Sequence, residues 1–275
     1  CAFAFAAYGC WRAFALPAWM AMGLVYALVS LPLIDAHVAL AGYADLWVAI
    51  TLGLALLAWT RWLLFRERGQ WIFALATAFC LPLLKLEGTV WLLAFLVVVA
   101  LELLPDRRRL RVMMGGVASL ALVGVVLLLF GLEAIRFVDG GVEIASLGTF
   151  GFGWHSVGAA MVASLFTLPN WHLLWYLVPV LLILRARRFR DDRSARLLGL
   201  LVLLDCAFLF VLFFLTGAAA WAQDFTSANR LILQIVPSVF VLASVLLRDD
   251  VTVSAFSGRR ARDTTQAHVA PNVPA

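Results

Sequence analysis

Charge is scarce in this sequence. Only 13% of its 275 residues are Asp, Glu, Lys or Arg, and 64% are hydrophobic; a soluble domain carries roughly a quarter charged residues. That excludes an ordinary soluble domain. Cysteine is scarce too: Cys1, Cys10, Cys80 and Cys206 all fall inside apolar runs. No disulfide framework is implied, and all four read as small buried hydrophobes. No Gly-rich nucleotide loop, Walker lysine pattern, zinc-protease helix or nucleophile elbow occurs. Those absences argue against a nucleotide-dependent cytoplasmic reaction. No signal peptide is visible, and Cys1 already lies in an apolar run. The expectation is a portion of a longer protein that lacks its N-terminal part.

Long apolar runs are what the chain has in abundance. Runs of membrane-spanning length recur from end to end, giving predicted spans at 1–10 (the tail of a helix), 14–33, 46–65, 71–85, 88–104, 111–132, 168–184, 198–216 and 231–247. The predicted fold class is therefore all-α, a polytopic transmembrane helical bundle of about eight full spans plus a partial first helix. Residues 1–253 form this helical domain, and the polar, Pro-containing 254–275 is expected to be a disordered cytoplasmic tail.

The pI near 9.4 does not signal nucleic acid, because the basic residues fall in short clusters between spans. Arg12, the Arg61/Arg66/Arg68 group, DRRRLR at 106–111, RARRFRDDRSAR at 185–196 and the tail from Arg248 hold 18 of the 21 Lys and Arg residues. Threading the spans alternately puts every one of these clusters on one side, the cytoplasm by the positive-inside rule. The other face carries 34–45, the KLEG turn at 85–88, the loop 133–167 and the stretch 216–230. The second half of 133–167 reads as a helix lying along the bilayer surface. Trp47, Trp71, Trp171 and Trp221 at span ends read as interfacial belts. Gly115, Gly116 and Ser119 suit close helix packing in 111–132.

The rare charges outside the basic clusters need reasons, since a charge inside a bilayer costs about 2.5–3.5 kcal/mol on insertion scales. Asp45, Lys85 with Glu87, and Arg230 with Asp224 all sit at outer span ends, and one shared site explains their convergence. Lys85 is either a snorkelling lysine paired with Glu87 or an ammonium that holds a phosphate. Arg230 is either an interface anchor or a two-pronged phosphate ligand, with Thr226, Ser227 and Asn229 nearby as donors or caps. Asp45 is placed to cap the span it opens; its carboxylate also suits a metal, a sugar hydroxyl or an acceptor proton. Asp35 and His37 read as surface-loop residues, and His155 and His172 as interfacial. Asp205 lies mid-span, so it is paired, protonated or lining a cavity.

Three stretches, HVALAGYADLWVAITLGLALLAW, LLKLEGTVWLLAFLVVVALELL and TSANRLILQIVPSVFVLASVLL, together resemble bacterial integral-membrane glycosyltransferases of the GT-C fold. The resemblance is to the protein-mannosyltransferase and aminoarabinose-transferase superfamily, and covers most of the chain but not the loop 133–167. It implies transfer of a sugar from a polyprenyl-phosphate-linked donor to a glycan, lipid or protein acceptor, on the extracytoplasmic face of the bacterial inner membrane. It implies Asp45 as a supporting acid or base, Lys85 and Arg230 facing the donor phosphate, Glu87 orienting Lys85, and Tyr43 at the substrate. A divalent metal is compatible with that chemistry. The family's principal aspartate lies in a first outer loop that this sequence does not contain, so the chain is expected to be catalytically incomplete. Trp47 stands where the family often has proline. A multi-spanning transporter or lipid flippase, with Lys85, Asp205 and Arg230 lining a path, is the alternative, although no internal repeat is evident. A non-catalytic subunit of an envelope complex is a third.

Overall fold

The structure is a computed structural model and describes residues 1–40, 43–104, 135–138, 141–144, 148–151, 153–225 and 227–248. The chain is mostly helical. Helices α1 (Ala2–Ala13), α2 (Ala18–Val29), α3 (Pro32–Ala39), α4 (Asp45–Phe65), α5 (Arg68–Phe79), α6 (Leu81–Leu84) and α7 (Glu87–Leu103) form the first part. Three short strands, β1 (Ile135–Val138), β2 (Gly141–Ile144) and β3 (Gly148–Gly151), pair antiparallel in the order β1-β2-β3. Then come α8 (Gly158–Val162), a π-helical turn at Ala163–Thr167, α9 (Leu174–Leu184), α10 (Arg188–Asp191), α11 (Arg193–Leu215), α12 (Ala219–Gln223) and α13 (Ser227–Leu247).

Among the described residues three helices are long and apolar enough to cross a membrane: α4, α11 and α13. The pair α2 and α3 makes a fourth if its 57° bend lies within one span. This fits a membrane protein. The expected span 111–132 and the tail 254–275 lie outside the described residues.

Several predicted spans are broken, and proline accounts for the breaks. The residue before a proline is pushed out of the helical region. Leu31, before Pro32, is extended and separates α2 from α3. Residues 34–39, expected as surface loop, therefore belong to a helix. Leu168, before Pro169, is likewise extended, and His172 has a positive φ of 48°, so regular helix in the 168–184 segment begins only at Leu174. Pro82 sits in the first turn of α6, after a turn at Cys80 that splits it from α5. The second half of the 133–167 loop is helical, as expected. Its first half holds the sheet, where Ile135 pairs with Ile144 and Val142 with Phe150, a departure from all-α.

Helix α13 is the central post. Leu231 through Leu246 are buried without interruption, the polar Gln234, Ser238 and Ser244 included, so protein encloses the helix. It packs chiefly on α4 and α11, with α2, α9 and α12 also against it. At the crossing with α4, Gly53 faces Pro237 and the Phe3 ring; a Cβ there would lie 2.9 Å from Pro237 Cβ and 2.6 Å from Phe3 Cζ. Small residues let apolar helices approach closely in this way. Trp11, Trp59, Trp91 and Trp171 are fully buried within the bundle. Trp171 is thus a core residue, whereas Trp47 and Trp221 are exposed at 60% and 51%, as belt positions require. Cys1, Cys80 and Cys206 are exposed rather than buried, and all four cysteines are free.

A charged cluster at one end of the bundle, a candidate active site

Asp45 is the first residue of α4, and its side chain is fully buried. A carboxylate so placed must be paired and fully hydrogen-bonded. Oδ1 accepts from Lys85 Nζ at 2.8 Å and from Gln234 Nε2 at 2.6 Å, and Oδ2 accepts from Arg230 Nε at 2.8 Å. The helix cap expected of Asp45 does not form: Ala44 holds the N-cap position, and no side chain caps the helix. Three donors from outside the helix, two of them cationic, hold the carboxylate instead.

Each partner comes from a different element. Lys85 ends α6 in an extended conformation, φ −164° and ψ 153°, which turns its side chain toward α4. The sharp reversal into α7 depends on Gly88, whose missing Cβ would run into the carbonyl of Leu81. Lys85 Nζ also pairs with Glu87 Oε1 at 3.0 Å. Arg230 lies in the first turn of α13, and Gln234 follows four residues later on the same face. Gln234 is itself held, since its Oε1 accepts from Trp91 Nε1 of α7 at 2.6 Å. Tyr43, 42% exposed, lies under the Arg230 guanidinium, 4.6 Å from Cζ to the ring centroid. The five residues singled out in the sequence, Tyr43, Asp45, Lys85, Glu87 and Arg230, therefore meet in one connected group.

The cluster balances two carboxylates against two cations. Lys85 and Arg230 are still 26% and 32% exposed at their side chains. An ammonium has three donors and a guanidinium five. Lys85 spends two on Asp45 and Glu87. Arg230 spends Nε on Asp45, and its two Nη groups have no partner among the described residues. Donors remain for an anion arriving from solvent.

The other candidates lie apart from this group. The carboxylate that pairs with Arg230 is Asp45, not Asp224. His37 is buried, with Nδ1 2.9 Å from the Leu33 carbonyl and its ring 5.8 Å from that of Tyr43. His172 Nε2 lies 2.8 Å from the Ser30 carbonyl. Asn229 accepts from Trp171 Nε1 at 3.3 Å and donates to the Phe225 carbonyl at 2.6 Å, so it ties α13 to its surroundings. Asp205, 1% exposed, faces Ser238 of α13, but neither carboxyl oxygen nor Ser238 Oγ reaches hydrogen-bond geometry among the described residues. No group of three His, Cys, Asp or Glu side chains gathers as a metal-ligand set among the described residues.

Sequence reasoning missed Gln234 and Trp91. The signal for Gln234 was present: a lone amide in an apolar run, four residues after Arg230. Trp91 had none beyond its type. Comparison with known proteins finds no matching family model, no matching curated protein and no matching solved structure.

Proposed function

We propose that this chain is part of a bacterial inner-membrane glycosyltransferase of the GT-C kind, multi-pass with about eight spans, that moves a sugar from a polyprenyl-phosphate-linked donor on the extracytoplasmic face. The observation that carries this reading is the connected group Tyr43–Arg230–Asp45–Lys85–Glu87, drawn from three separate stretches of sequence to one end of the bundle. Those three stretches are the ones that resemble the family, in the same order.

The chemistry follows from the donors left over. When a sugar leaves its lipid phosphate, negative charge grows on the phosphate oxygens, and preorganised cations lower that barrier. Lys85 and the Arg230 Nη groups meet the phosphate. Asp45, sealed from solvent, supports the step as a positioning residue: it holds both cations at fixed places while leaving their outer hydrogens to the substrate. Glu87 restrains Lys85 from the other side. Tyr43 lies against the Arg230 guanidinium and limits its swing. The proton of the acceptor hydroxyl passes to a general base outside this group.

The test is sugar transfer by the full-length protein in proteoliposomes supplied with a labelled polyprenyl-phosphate sugar. Transfer that falls at least a hundredfold in Lys85→Ala, in protein that remains folded, supports the reading. Movement of lipid or solute across the bilayer with no glycosidic transfer selects the transporter reading instead.

A further inference from the structure

The far end of the bundle holds a second polar site that the proposed transfer does not use. A hollow of about 400 Å³ opens there between the end of α9, α10, the start of α11 and the end of α13. Among the described residues, Arg185, Arg187, Arg188, Arg193 and Arg248 line it, against the carboxylates of Asp191 and Asp192.

Two of the arginines are committed. Arg193 pairs with Glu102 at 2.7 Å, and Arg188 donates to the Arg248 carbonyl at 2.6 Å. Arg248 is the unusual one. Its side chain is only 8% exposed, and Nη2 donates to Asp192 at 2.7 Å. Nε and Nη1 are buried and have no acceptor among the described residues. Asp192 is occupied as well, because its Oδ1 caps α11 at the Ser194 amide. A buried guanidinium with spare N–H groups, beside two further arginines, is an arrangement that an anion completes.

The surroundings indicate what carries the anion. Leu184 lines this hollow and also the end of an apolar groove of about 490 Å³ between α2, α9 and α13. The groove runs along α9 past Leu177, Val180 and Leu181, and its α13 wall ends at Leu247, next to Arg248. Val180, Ile183 and Leu184 are exposed at 51%, 76% and 75%. A basic pocket joined to an apolar groove matches a molecule with a phosphate at one end and hydrocarbon at the other.

We propose that this end of the bundle binds an anionic phospholipid, with its phosphate among Arg185, Arg187 and Arg248 and an acyl chain in the groove along α9. Arg248 and Asp192 preform the pocket, and Arg185 and Arg187 close on the headgroup. The site is independent of the transfer reading, since Arg230 and Arg248 lie at opposite ends of α13, about 27 Å apart at 1.5 Å per residue.

The experiment uses full-length protein in detergent, with native mass spectrometry counting retained lipid and a parallel thermal melt. Phosphatidylglycerol should be retained and should raise the melting temperature, and phosphatidylcholine should do neither. Arg248→Gln should weaken retention about tenfold, the effect of losing one charge-assisted contact of about 1.4 kcal/mol, and the double variant Arg185→Gln/Arg187→Gln, which loses two, about a hundredfold. Arg68→Gln, an exposed arginine away from the hollow, should leave it unchanged. The double variant carries the test if Arg248→Gln does not fold, because it leaves the Arg248–Asp192 pair intact. Equal retention of both lipids, or an equal loss in Arg68→Gln, overturns the proposal. Inorganic phosphate alone giving the same stabilisation as phosphatidylglycerol also overturns it, by assigning the pocket to a soluble anion.

Discussion

A single aspartate organises the candidate site. Asp45 accepts from an ammonium, a guanidinium and a carboxamide at 2.8, 2.8 and 2.6 Å, and is shut off from solvent. Asp45→Asn removes the charge and turns one acceptor into a donor that faces a cation. It should destabilise the fold by about 2–3 kcal/mol, less than the 3–5 kcal/mol of a fully buried pair because Lys85 and Arg230 keep access to water. Gln234→Leu should cost about 1–3 kcal/mol, since it strands the buried Trp91 Nε1–H and removes a donor from Asp45. Both follow from reversible unfolding in mixed micelles. Asp205→Leu has the opposite sign: filling that place with a similar apolar side chain removes a buried, poorly satisfied carboxyl, so stability should stay level or rise by about 1 kcal/mol. At this scale the site was largely legible. Charges are so few in the spans that Asp45, Lys85, Glu87 and Arg230 stood out by rarity alone. Gln234 was not noticed because a neutral amide in an apolar run does not register as a charge. The cap reading of Asp45 failed because local sequence cannot show partners that arrive from 40 and 185 residues away.

Two glycines set how the elements meet. Gly53 lies two turns below Asp45 on α4, where a Cβ would meet Pro237 of α13. Gly53→Leu should push α4 from α13 and so pull Asp45 from Arg230, lowering stability by about 1–3 kcal/mol as overpacking does. It should also lower transfer, although Gly53 touches no charged group. Gly88→Ala puts a methyl group against the Leu81 carbonyl and should displace the turn that aims Lys85. Unfolding of each variant, beside its transfer rate, checks both expectations; unchanged values in both would mean that these crossings do not position the site. Helix existence was legible here from apolar runs alone, and α4, α7, α11 and α13 fall close to the predicted spans. The breaks were not. Hydropathy is blind to the extended backbone that Pro32 and Pro169 impose on the residue before them, and to the sheet at 135–151.

Seen whole, the molecule has two charged ends of different character. Arg66 and Arg193 converge on the buried Glu102, and Arg248 on Asp192, at the end where the arginine-rich segments gather. Asp45 and Arg66 bracket α4, about 31 Å apart for 21 residues at 1.5 Å each. Arg66, Arg188, Arg193 and Arg248 meet at one of these ends, and Asp45, Lys85, Glu87 and Arg230 at the other. The sequence-based threading assigns the basic end to the cytoplasm. It predicts that, in a cysteine-free background, Asp224→Cys reacts with an impermeant maleimide in intact cells and Arg190→Cys reacts only after permeabilisation. The reverse pattern would invert the orientation.

The central claim is that Lys85 and Arg230 stabilise a departing lipid phosphate. Its most direct test is the single-turnover rate of sugar transfer by full-length protein, with Arg230→Ala compared with wild type at matched folding. The account predicts a loss of at least a hundredfold, about 2.7 kcal/mol of transition-state stabilisation, with the lipid-phosphate donor still bound. A rate within twofold of wild type would contradict it.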